Sequence, residues 1–160
     1  MDIPNNLFPS GLEALLVFLA VLILLVISFV LYLITLQNTL KAIQSENQRM
    51  PPGQVWLLFI PLFNLVWQFI VVSRVASSIQ AEQRARGVEY PDPSVNNIGL
   101  TYCILNCLGI IPFVGALARL AAMVCWIIHW VKVNAYRKQF LAEPFIPRAD
   151  DSEIFGYGKL

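Results

Sequence analysis

Charged residues are scarce in this 160-residue chain, at 13% against 58% hydrophobic, and the mean hydropathy is +0.65. A water-soluble domain carries about 25% charged residues, so this composition argues against one. Lys and Arg are absent before Lys41. A secretory leader needs a positive n-region and an apolar core of about 7–15 residues. The first apolar run, 12–36, is too long and wrongly flanked for that, and is expected to be a retained transmembrane helix. Cysteine occurs three times, always inside apolar stretches (Cys103, Cys107, Cys125), and an odd number argues against a disulfide framework. No P-loop, GxGxxG, HExxH or GxSxG pattern is present. The acids lie outside the apolar segments, apart from Glu13 at one end, so neither an enzyme nor a carboxylate proton relay is expected. A net charge of +1 offers nothing to a nucleic acid.

What is present is apolar sequence in long runs. The expected fold is all-α and membrane-integral, with four apolar helical segments at 12–36, 55–72, 98–111 and 113–131. A single helical membrane domain over 1–141 would be followed by a polar tail, 142–160. Ser10 and Glu13 have the S-x-x-E spacing of a capping box at the first helix start. Three segments continue into polar, helix-compatible extensions: 37–49 ahead of Pro51-Pro52-Gly53, 73–87 closing at Gly87, and 132–143 ahead of Pro144. Glu82 and Arg86 are spaced i,i+4 on the second.

Pro61 interrupts the second segment and Pro112 opens the fourth. Aligned on these prolines, Ile60-Pro61 matches Ile111-Pro112, Asn64 matches Gly115, and Gln68 matches Arg119. Asn and Gly readily take turn conformations. The pattern I-P-x-x-[N/G] is therefore read as two membrane-embedded hairpin tips in a weak internal repeat, with Pro61, Pro112 and Gly115 as break positions. A kinked continuous helix at Pro61 is the other reading. Ten of the eleven Lys and Arg lie outside the apolar runs: two in 37–54, three in 73–97 and five after 131. Four full crossings would place eight of them inside. A re-entrant 55–72 would place all ten inside, with the N-terminus outside, the C-terminus cytoplasmic and the three extensions together. The second topology is slightly preferred.

Few groups in the apolar runs could carry chemistry. Arg119 would cost about 2.5–3.5 kcal/mol at a bilayer centre. It either lines a polar membrane site with Asn64, Gln68 and Asn106, or snorkels to the headgroups. His129 lies one turn from the small Cys125. It could serve as axial ligand to a haem or chlorophyll-type pigment, or it sits with Trp126 and Trp130 in an interfacial belt. A shared Cys/His metal site is not expected, because His129 and Cys107 lie at different depths along an antiparallel hairpin. Ala118 and Ala122 form a small-xxx-small pair suited to close helix packing within the chain or against another.

Residues 50–79 and 98–139 resemble a group of small, uncharacterised bacterial multi-pass membrane proteins. These carry a P-G-x-V-W…I-P-x-x-N-x-x-W segment and a later I-P-F-x-G…C-W-I-I-x-W-V-K segment. The resemblance implies a bacterial inner-membrane location and a four-segment helical layout, and assigns no catalytic residue. Together these readings describe a non-catalytic scaffold or accessory subunit of a larger membrane complex, in contact with lipid and with other subunits or copies of itself. A small transporter or channel and a pigment-binding subunit are the alternatives.

Overall fold

The computed structural model describes residues 11–143, and these are helical with no strand among them. Helix α1 spans Gly11–Ala42. A short 3-10 turn (Ser45–Asn47) and a longer 3-10 segment (Pro52–Phe59) lead into α2 (Pro61–Ala85), α3 (Ser94–Leu108) and α4 (Gly115–Ala142). The chain divides between Ile34 and Thr35, inside α1, into two compact units. Three helices are long and apolar enough to cross a membrane: α1, α2 and α4. The third expected segment, 98–111, is instead a 15-residue helix beginning at Ser94. At 1.5 Å per residue it is about 22 Å long, short of a bilayer core of about 30 Å.

In the first unit, residues 11–27 are all exposed, and Glu13 is their only charge. Ser10, the expected partner of Glu13, lies outside the described residues, as does 144–160 of the polar tail. Within the second unit α1 ends at Ala42, and does not run to residue 49. The backbone N–H of Gln44 and the side-chain amide of Asn47 both donate to Glu82 on α2, which turns the chain into the 3-10 turn.

The 3-10 segment doubles back along the start of α2. Its turn is Ile60, an extended residue, and Trp67 Nε1 on α2 donates to the carbonyl of Gln54 at 3.0 Å. The segment is therefore not one kinked helix. Nor does Asn64 form the turn: Pro61 is the first residue of α2, and the Asn64 N–H donates to the Ile60 carbonyl at 2.7 Å within the first helical turn. Proline suits that position because its missing N–H would be unpaired there anyway. The inner face of α2 carries Val71, Val72, Val75 and Ile79, all buried. Gly87, at φ 86°, stops the helix as expected, with the Val88 N–H reaching back to the Gln83 carbonyl.

The second break falls in residues 109–114, between α3 and α4, the most extensive helix pairing in the structure. The left-handed position is taken by Phe113 (φ 71°), not by Gly115. Gly115 is needed for proximity: a Cβ there would lie 2.6 Å from the Gly109 carbonyl oxygen. The repeat is thus not exact, since Pro112 lies inside its turn whereas Pro61 begins its helix. Both turns expose apolar side chains, Ile60 and Leu62 in one and Ile110, Ile111, Phe113 and Val114 in the other. Ala118 and Ala122 are buried, so the small-residue face is used within this chain.

Candidate functional site

Of the four expected polar membrane residues, the structure joins two. Gln68 on α2 is 3% exposed. It accepts a hydrogen bond from Asn106 Nδ2 on α3 at 3.2 Å, and its own Nε2 donates to the Leu65 carbonyl at 3.4 Å. The buried Gln68 amide thus finds partners for both its oxygen and its nitrogen, as a buried polar group must. Asn64 lies one turn earlier on α2, half-buried, and its side chain makes no hydrogen bond among the described residues. Arg119 is exposed and does not join the amide pair. Its stem runs over Gly109, where a Cβ would lie 2.9 Å from Arg119 Cγ and 3.3 Å from Nε.

His129 is fully buried, packed between helices. Its ring edge lies against α3, and a Cβ on Gly99 would meet both Cδ2 and Nε2 at 2.9 Å. A macrocycle seated on Nε2 would have to displace the α3 backbone. The neighbouring Trp130 stacks obliquely on Trp126 and donates Nε1–H to Thr35 Oγ1 at 2.9 Å. Cys103 is buried and Cys107 and Cys125 are half-buried, all as free thiols. Among the described residues no group of three or more His, Cys, Asp or Glu side chains could hold a metal.

Two polar clusters went unread in the sequence, and both lie where the helical extensions meet. At the first, Glu82 is fully buried. Oε2 accepts from Asn47 at 2.8 Å and from the Gln44 N–H at 3.2 Å, and Oε1 accepts from Arg86 Nε at 2.9 Å. The Arg86 guanidinium continues to the Glu143 and Phe140 carbonyls and lies 4.9 Å from the Phe140 ring centroid. This one ion pair therefore ties the 3-10 turn, α2 and the end of α4 together. The i,i+4 spacing of Glu82 and Arg86 was legible. Their burial was not, because it depends on Asn47 and Phe140, far away in sequence.

At the second, Asp92 sits two residues before α3 in the sequence Asp-Pro-Ser. Its carboxylate accepts the Ser94 N–H at 2.8 Å, the Ser94 hydroxyl, the Tyr136 hydroxyl at 2.7 Å and Lys132 Nζ at 3.3 Å. The Ser94 hydroxyl first, then that of Tyr136, hold the carboxyl well below its usual range against the opposing effect of burial. Lys132 also donates to Ser94 Oγ. Ser–Lys pairs serve as nucleophile and base elsewhere, but here the ammonium is the counter-ion of Asp92 and the serine hydroxyl donates to the same carboxylate. The cluster therefore serves as a clamp between the α2–α3 connection and α4. An Asp-Pro-Ser stretch ahead of an apolar run is a readable helix-start signal.

No family model matches this chain. No curated protein and no solved structure matches it either. The functional reading therefore rests on sequence pattern and geometry: a part-buried amide pair, an exposed arginine against a hairpin turn, and two polar clasps.

Proposed function

We propose that the chain is a multi-pass protein of the bacterial inner membrane that works by interaction, as scaffold or accessory subunit of a larger membrane complex. In this reading α1 crosses the bilayer. The Pro52–Phe59 segment and the start of α2 form a re-entrant hairpin, and α3 and α4 form a second hairpin. The N-terminus is then outside, the C-terminus is cytoplasmic, and the ten Lys and Arg other than Arg119 lie on the cytoplasmic side. The observation that carries the reading is the pair of clasps at Glu82 and Asp92, which tie the ends of α2 and α4 to the connections between helices. Lys41, Arg49, Arg74, Arg84 and Lys138 are exposed cations of the extensions and connections around those clasps, available to a partner. The motif likeness to bacterial multi-pass proteins supports the location.

Gentle purification of tagged protein from its native membrane tests this reading, with mass spectrometry and visible absorbance of the product. Stoichiometric partner chains are the expected result. The reading is abandoned if the protein emerges alone and, in vesicles, moves a solute or turns over a substrate. The part-buried Gln68–Asn106 pair is the observation that favours the transporter alternative, because polar groups near helix breaks are where transporters bind substrate. Solute flux that disappears in Asn106→Leu would establish it.

A further inference from the structure

From Arg119 and its neighbours we infer that this arginine is a headgroup anchor, a ligand for the phosphodiester of a membrane phospholipid in the leaflet reached by the α3–α4 turn. The inference rests on the proposed insertion of that hairpin. Three observations lead to it. First, Arg119 is exposed, and its guanidinium makes no hydrogen bond or ion pair among the described residues. Its exposed neighbours Leu117, Leu120 and Met123 are apolar, as are Ile110, Ile111 and Phe113 in the turn. A guanidinium on such a surface needs an anion from outside the chain, and a planar fork of N–H donors fits phosphate oxygens.

Second, the stem has a built seat. Gly109 lacks the Cβ that would lie 2.9 Å from Arg119 Cγ. Long helical side chains lean towards the helix N-terminus, so the seat guides this one towards the turn and not towards the middle of the hairpin. Third, the depth is right. Gly115 to Lys132 is 17 residues of α4, about 26 Å at 1.5 Å per residue. That separation is close to a hydrocarbon core of about 30 Å. Arg119 itself is 13 residues from Lys132, about 20 Å; with the Lys132–Asp92 clasp at one headgroup layer, its stem, leaning towards the turn, carries the guanidinium the remaining distance towards the other.

Solid-state NMR on the full chain in phosphatidylglycerol vesicles tests this, reading dephasing of the arginine 13Cζ signals by lipid 31P. The Arg119 signal is identified by difference against Arg119→Gln. The expected result is strong dephasing of Arg119 in vesicles, weakened in Gly109→Ala, and none in maltoside micelles containing inorganic phosphate. Dephasing in those micelles would overturn the lipid assignment in favour of a soluble anion. An undephased Arg119 in vesicles, with the Phe113 ring still in contact with acyl-chain protons, would overturn the anchor and leave hairpin insertion standing. Loss of the Phe113 contacts as well would remove the insertion itself, and the anchor with it.

Discussion

Gly99→Ala is the sharpest test of the packing. Gly99 is buried on α3, and the added Cβ would lie 2.2 Å from Val72 Cγ1 and 2.9 Å from two atoms of the His129 ring. Val72 and His129 are themselves buried, so neither yields without moving its helix. Overpacking of this kind costs about 1–3 kcal/mol. A loss of about 2 kcal/mol would lower the apparent Tm by about 4–8 °C for a chain of this size. The assay is thermal unfolding in detergent, read by circular dichroism or by thiol labelling of buried Cys103. Val72→Ala alone should cost about 1.6 kcal/mol in lost apolar burial. The double variant should fall well short of the sum of the two, because removing Cγ1 opens the space that the new methyl needs. An unchanged Tm in Gly99→Ala, or strict additivity in the pair, would refute this account of how α2, α3 and α4 meet.

Removing the Glu82 carboxylate by Glu82→Ala leaves Arg86 charged and largely buried without its partner. A cost of about 3–5 kcal/mol is expected, measured as a fall in Tm and faster proteolysis of the α2–α3 connection. The Asp92 carboxyl is held below its unfolded value, so its contribution is fully present above about pH 4. It is lost as pH falls further, towards the depressed folded value. Stability measured against pH should therefore decline on the acid side in the native chain, and this component of the decline should be missing in Asp92→Asn.

The sequence revealed the helical class and the second turn, because Gly109, Pro112 and Gly115 fall together between two apolar runs. It misled at Asn64, since an I-P-x-x-N pattern fits a turn at the asparagine as readily as a helix starting at the proline. The choice is made by Trp67 and Gln54, whose contact folds the 3-10 segment back. The burial of His129 was not legible either, because the glycine that receives its ring is 30 residues earlier on another helix. Gln68 and Asn106 were both marked as polar outliers, but pairing them required the register between α2 and α3, which no local pattern encodes. The clasps at Glu82 and Asp92 are built from hydrogen bonds between residues up to 57 positions apart, so only their local halves could be read.

The apolar character of the two turns has a consequence for how such a chain enters a membrane. In the proposed topology, what travels furthest into the bilayer is Ile60 and Leu62 on one hairpin and Ile110, Ile111, Phe113 and Val114 on the other. Neither turn carries a charge, and Arg119 follows one of them by only a few residues. Each hairpin can then partition into lipid from the side on which it is made, without a hydrated loop being hauled across. After α1, the one charge that has to pass the bilayer centre is Arg119, at about 2.5–3.5 kcal/mol.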